Sequence, residues 1–251
     1  MKPVDAHCHL DFDQYEDDRE EVIERSKQEL EFVVNAGASV ENNQETLEIH
    51  QDYPEFVVPA LGLHPTYTDE FSRIDQVKKQ VREEDPAAVG EIGLDYHHVT
   101  DPDQRKEQEK VFKQMLELAQ ELEKPVVVHT RDAEDRSVEI LSGHRGKTML
   151  HAFNGKPELA REAVDNGMKI GVTTQVLYSN RVQELVRELE LEHLMLETDS
   201  PFLYQGDRNE PVNVKDSAEK IAELKEVGVE TVVEATTRNA REFFGKDSKD
   251  S

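Results

Sequence analysis

Two imidazoles set two residues apart, His7 and His9, stand near the start of the chain in Val4-Asp5-Ala6-His7-Cys8-His9-Leu10. On a strand, alternate side chains share a face, so Asp5, His7 and His9 are expected on one side and Cys8 on the other. Two imidazoles on one strand face can bind a single metal ion. Alone, such a pair is as readily a solvated surface feature as a metal site. The deciding question is whether other ligand types fall where a fold could gather them. His64, Glu91, His129, His151 and Asp199 each stand at or just past the end of a short apolar run. Four imidazoles (His7, His9, His129 and His151) with the carboxylates Glu91 and Asp199 suit divalent metal, and suffice for two ions if one carboxylate bridges.

Eight apolar runs must position these residues. They centre on residues 4–10, 31–37, 56–63, 87–93, 126–129, 147–151, 168–173 and 193–199. Helical periodicity fills the gaps, most clearly over 104–123, where Phe112, Met115, Leu116, Ala119 and Leu122 share a face. Further helices are expected over 17–30, 43–53, 71–84, 133–142, 157–166, 180–189, 214–226 and 230–244. Short strands alternating with helices, at a period of about 27 residues, argue for a parallel sheet with crossover helices. Eight units close a (β/α)8 TIM-like barrel, in which all the strand C-termini meet at one face. The rival is an open doubly wound sheet, but no glycine-rich phosphate loop follows the first strand. No linker-like segment interrupts the pattern, so one domain is expected over 1–245, with a frayed acidic tail at 246–251.

The charge balance narrows the function classes. The 251 residues carry 55 acidic and 30 basic side chains, a net charge of −25, dispersed along the chain rather than gathered in a block. Periodic apolar residues exclude a disordered acidic chain. Dispersed acid is what solubility at high salt demands, so a halophilic protein is expected, with thermal stability rising from low to molar salt. Equal melting temperatures at both ends of that range would sink the idea. The same charge repels nucleic acid at long range, so a polyanion substrate must be held by local groups or by metal. The single cysteine excludes an internal disulfide and agrees with a reducing compartment. With neither a run of eighteen apolar residues nor a basic-then-apolar N-terminus, a soluble cytoplasmic protein with no membrane association is expected. No obligate protein partner is indicated. Cys8 is expected as a small buried hydrophobe between barrel and helices.

Six segments together resemble a known family. Asp5-Ala-His-Cys-His-Leu10, Gly62-Leu-His-Pro65, Gly90-Glu-Ile-Gly-Leu-Asp-Tyr96, Val128-His-Thr-Arg131, His151-Ala-Phe-Asn-Gly155 and Glu197-Thr-Asp-Ser-Pro-Phe-Leu203 are similar to the signature segments of the TatD family of metal-dependent deoxyribonucleases. The likeness extends to the closing helix at Thr237 to Phe244. It implies a TIM-like barrel related to the amidohydrolases and a two-metal hydrolase of phosphodiester bonds in DNA, exonuclease-like in action. By the same resemblance, His7, His9, Glu91 and Asp199 hold one divalent ion, and Glu91, His129 and His151 a second, with Glu91 bridging. Asp199 then accepts the proton of the attacking water, and His64 lies near the substrate phosphate. Arg131 could hold a phosphate oxygen, or be tied in a surface salt bridge. Asp5 and Glu197 are expected to orient the groups beside them. The donor set is compatible with Mg, Mn or Zn.

Departures from the family pattern are small: His97-His98 after Tyr96, and Asn154 where Ser or Thr is commoner. They bear on substrate preference rather than on metal. His50, His98, His144 and His193 are assigned no role, and His97 is left open. The alternative function is amidohydrolase-type C–N or ester hydrolysis of a small molecule or an RNA end. Many such enzymes bridge their metals through a modified lysine, and no lysine stands at a strand end here. A non-catalytic metal-stabilised binding module is a third class, disfavoured because the candidate base Asp199 is present.

Overall fold

The computed structural model describes residues 1–246, and in it strand and helix alternate from end to end. The strands are β1 Asp5–Cys8, β2 Val33–Ala36, β3 Val57–Leu61, β4 Ala88–Asp95, β5 Val126–Arg131, β6 Thr148–His151, β7 Lys169–Val172 and β8 Leu194–Leu196. The helices are α1 Arg19–Glu29, α2 Val40–Asp52, α3 Ile74–Glu84, α4 Pro102–Glu121, α5 Glu134–Leu141, α6 Pro157–Asp165, α7 Asn180–Glu188, α8 Val214–Lys225 and α9 Val229–Phe244. Each strand pairs in parallel with the next, in the order β1 to β8. The circle is drawn shut by Cys8 bridging to Ser200, by His9 N–H donating to Ser200 O at 2.8 Å, and by Asp199 N–H donating to His7 O at 3.0 Å. This is a (β/α)8 barrel, and the open-sheet rival falls. From residue 247 on, the expected tail lies outside the described residues. No described helix is long and apolar enough to cross a membrane.

Local chemistry explains the element boundaries. Asp101 starts α4 by accepting from the backbone N–H groups of Asp103 and Gln104, and Pro102 follows where a missing N–H costs nothing. Ser39 caps α2 in the same way, accepting from Asn42 N–H. The side chains then sort into two layers. One cluster joins the inward faces of the helices to one face of the strands and contains Cys8 and Leu10. The other fills the barrel lumen with Val4, Ala6, Val34, Ala60, Val127 and Met149 among others, and is floored by Phe243 and Phe244 of α9. Burying each of these phenylalanines contributes about 1.5–3 kcal/mol. The Arg241–Glu31 ion pair and the Thr237 hydroxyl on Lys2 O lock α9 against the starts of β2 and β1.

Two register shifts decide which way the site residues face. On β1, Asp5 and Cys8 are three apart while their partners Val33 and Asn35 are two apart; on β4, the same mismatch separates Val89 and Ile92 from Val126 and Val128. A bulge of this kind flips the parity of every following side chain. Below the bulge Val4 and Ala6 face the lumen; above it His7 and His9 do. Asp5 therefore does not share the face of His7 and His9, contrary to simple alternation. In β4, Ala88 faces the lumen before the shift, and Glu91 faces it after.

Candidate metal centre

At the C-terminal mouth of the barrel the ionisable residues converge. Glu91 lies at the centre, with its side chain 2 % exposed. Its Oε2 is 3.3 Å from His7 Nε2 and 3.5 Å from His9 Nε2, while its Oε1 is 2.8 Å from His129 Nδ1 and 3.4 Å from His64 Nε2. Asp199 Oδ1 lies 3.4–3.7 Å from the Nε2 atoms of His151, His9 and His7. Among the described residues, three triplets could each hold an ion: His7, Glu91 and His151; His7, His9 and Asp199; His64, Glu91 and His129. His151 Nε2 is 3.9 Å from Glu91 Oε1, and its ring stacks on His7 with centroids 3.7 Å apart. It thus sits nearer the His7 side of the centre than its expected pairing with His129 implies, and His64 occupies the place beside His129.

Outer contacts fix which nitrogen each ring offers. Ala36 O accepts from His9 Nδ1 at 2.8 Å, Glu197 Oε2 from His151 Nδ1 at 2.8 Å, and Asp95 Oδ2 from His129 Nε2 at 3.0 Å. In each neutral ring the lone pair is then left on the nitrogen that faces Glu91 or Asp199. His64 is less constrained: its Nδ1 lies 2.7 Å from the Thr66 hydroxyl, which can donate or accept, and its Nε2 lies 3.4 Å from Glu91 Oε1.

Glu197, fully buried, also accepts from Ala152 N–H at 2.7 Å. It needs Gly171 opposite, because a Cβ there would lie 2.3 Å from Glu197 Oε1. Gly171→Ala is expected to push Glu197 off His151 and weaken metal binding about 10–100-fold, the usual cost of losing such an orienting contact. A zinc titration that matches the wild type would refute this.

Asp95, given no role from the sequence, is part of the cluster. Fully buried, it holds His129 Nε2 with Oδ2 and accepts from His98 N–H and Nδ1 at 2.7 and 2.9 Å. His98, expected to have no role, thus reaches the centre through Asp95. His97 pairs with Asp132 on the surface, and His50 Nδ1 bonds Val57 O. Arg131 ends β5 on an exposed site, and its guanidinium has no ion-pair partner among the described residues. Of the two readings of Arg131, the salt bridge is the one excluded among the described residues.

The electrostatics ask for positive charge. Glu91, Asp95, Asp199 and Glu197 crowd one small volume, and among the described residues their ion-pair partners are all imidazoles. Burial works against a charged His9, but the Asp199 hydrogen bond and the Glu91 and Asp199 charges outweigh it and lift it to about 9. His129 is likewise lifted to about 9, against burial, by hydrogen bonds to Asp95 and Glu91. Burial also penalises the charged forms of Glu91 and Asp199, yet the imidazoles around them hold both below the usual carboxylate range. The carboxylates are in effect neutralised by protons that their histidine neighbours hold. Divalent cations would fill that role without protons, and the inward lone pairs are aimed to receive them, so the donor set fits metal.

A family model described as "TatD related DNase" matches residues 4–245. The chain belongs to the TatD family. An uncharacterized metal-dependent hydrolase of Methanocaldococcus jannaschii is 39 % identical over 249 residues, covering 97 % of both chains. Human Deoxyribonuclease TATDN3 is 34 % identical, covering 97 % of this chain and 94 % of its own. The crystal structure of the TatD homologue YJJV from Escherichia coli superposes with a TM-score of 0.88 at 28 % identity, covering 96 % of this chain and 97 % of that one. This TatD protein is accordingly a metal-dependent hydrolase, with its donor set at the barrel face where such enzymes work.

Proposed function

We propose that the protein cleaves phosphodiester bonds in DNA as an exonuclease-like, two-metal hydrolase. The observation that carries this reading is Glu91, whose two oxygens face different imidazole sets, Oε2 toward His7 and His9 and Oε1 toward His129. In this reading His7, His9, Glu91 and Asp199 hold one ion, and Glu91, His129 and His151 the other. Bound divalent ions supply Lewis-acid activation of water and offset the charge that builds on the phosphate. Asp199, whose side chain is 15 % exposed against 2 % for Glu91, is the carboxylate placed to take up the proton that water gives up. His64, beside His129, lies near the substrate phosphate. Arg131, free of other ion pairs among the described residues, supplies a charged contact that survives high salt, where the Debye length is about 3 Å and long-range repulsion is screened. The deoxyribonuclease name of the human relative supports DNA as substrate. Glu91 already stands between the two imidazole sets, where a modified-lysine bridge of the amidohydrolase kind would otherwise be needed.

The test is single-stranded DNA at molar salt with protein loaded in turn with Mg, Mn and Zn. Mononucleotide release by the wild type and its loss in Asp199→Ala are expected. No cleavage with any metal, or equal cleavage by the variant, would overturn the proposal.

A further inference from the structure

Outside the metal ligands, the feature that calls for an occupant is an aromatic shelf on the rim of the centre. Phe12 stacks on His9 with centroids 4.6 Å apart and planes 20° from parallel. Phe202 meets Phe12 edge to face at 5.9 Å and is 41 % exposed. The line His9–Phe12–Phe202 therefore runs from the centre out to solvent. The exposure is enforced. Phe202 N–H donates to Asp199 O at 2.9 Å, Asn209 Nδ2 donates to Phe202 O at 2.7 Å, and the Thr174 hydroxyl donates to Leu203 O at 2.6 Å. Tyr178, also exposed, sets its hydroxyl on Leu203 O. A loop pinned this firmly holds a large apolar ring in water next to a reaction centre.

Charge decides what the ring takes. The arginine of this loop, Arg208, is already spent on Asp18 at 2.6 Å, and Arg25 of α1 on the loop's Glu210 at 2.6 Å. A chain of net charge −25 cannot gather a strand by its phosphates there. Base-on-aromatic stacking needs no charge, accepts any base, and requires a base free of its partner. We propose that Phe202, backed by Phe12, is the stacking platform for the unpaired terminal base of the bound strand. This rests on the phosphodiester reading of the same site.

The test uses a short single-stranded DNA carrying 2-aminopurine as its last base, with phosphorothioate final linkages so that binding is read apart from cleavage. Quenching of the 2-aminopurine on the metal-loaded wild type is expected. Phe202→Ala should bind about tenfold more weakly with the quenching lost, and Phe202→Tyr should restore both. An oligonucleotide abasic at its last position should bind wild type and Phe202→Ala alike. Undiminished quenching in Phe202→Ala, or an equal loss of affinity on the abasic strand, would overturn the platform. If unmodified DNA is not cleaved but quenching depends on Phe202, the hydrolytic reading fails and the platform stands. If DNA is cleaved without quenching, the platform fails and the hydrolytic reading stands.

Discussion

Glu91→Ala is expected to lower hydrolysis by about a thousandfold or more while the barrel stays folded, and, of the two ions proposed per chain, to leave one or none. Several kcal/mol of transition-state charge stabilisation depend on the ions, and each 1.36 kcal/mol is about tenfold in rate. Among the described residues, Glu91 is the side chain that the His64–His129 triplet shares with the His7–His151 triplet. Deleting it removes the one anion standing between the two imidazole sets. The fold should tolerate the loss, because burial penalises this carboxylate and the charge of its imidazole neighbours is what holds it ionised. With metal stripped by chelator, the melting temperature of Glu91→Ala should lie within a few degrees of wild type. Glu91→Gln keeps the shape but loses the charge, and should bind metal between the two extremes. Native mass spectrometry counts the ions. Two ions retained with full activity would remove Glu91 as the bridge.

The positions that converge at the mouth are legible in the sequence because they stand at or near the ends of short apolar runs. Glu91, His129, His151 and Asp199 each close a run of apolar residues, and parallel pairing in order carries those ends to one face. What alternation alone misreads is parity. The bulges in β1 and β4 turn His7, His9 and Glu91 inward and leave Asp5 on the other face, and no local residue preference announces a bulge. Asp95 is missed for a related reason. The sequence reading stops the fourth strand at Gly93, whereas β4 runs on to Asp95. Gly93 allows this, with φ of 142° and a position where a Cβ would lie 2.1 Å from His129 O. Carried two residues further, the spacing Glu91, Gly93, Asp95 would have put the second carboxylate on the face of the first. The mouth also holds Asp132, Ala152 and Asp199 in left-handed backbone at φ of 54°, 44° and 58°. Such conformations cost about 1–2 kcal/mol each and are sustained only by surrounding contacts, so they are not visible in sequence. Asn209 is one of those contacts, buried with its Nδ2 against Thr198 O and Thr174 Oγ1, in a stretch that reads as an ordinary turn.

Asp5→Ala is expected to be the most destabilising single change near the site, and to disable metal binding without removing a ligand. β8 ends at Leu196, short of the rim, and β1 contacts it through few backbone bonds. The Asp5 carboxylate fills that gap. Its Oδ1 accepts from Thr198 N–H at 2.8 Å and His7 N–H at 3.2 Å, and its Oδ2 accepts from the Thr198 hydroxyl at 2.6 Å. One fully buried side chain thus fastens the backbone that carries His7 to the backbone that carries Asp199. Truncation leaves two buried N–H groups and a hydroxyl without their acceptor, at about 1–3 kcal/mol each before relaxation. A total of about 4 kcal/mol corresponds to a drop of roughly 8–16 °C in melting temperature for a chain of this size. Asp5→Asn, which keeps one acceptor oxygen but turns an amide N–H₂ toward a donor, should fall between. Burial pushes the Asp5 carboxyl well above its usual range, and the hydrogen bonds from Thr198 and His7 only partly offset this. The side chain therefore stabilises the seam as an acceptor more than as a charge, and Asp5→Asn should recover more stability than a lost charge would allow. Calorimetry on metal-free protein separates this from the loss of ligand energy. If Asp5→Ala melts with wild type and binds both ions, the seam is held by the backbone bonds of His7, His9, Asp199 and Ser200 alone.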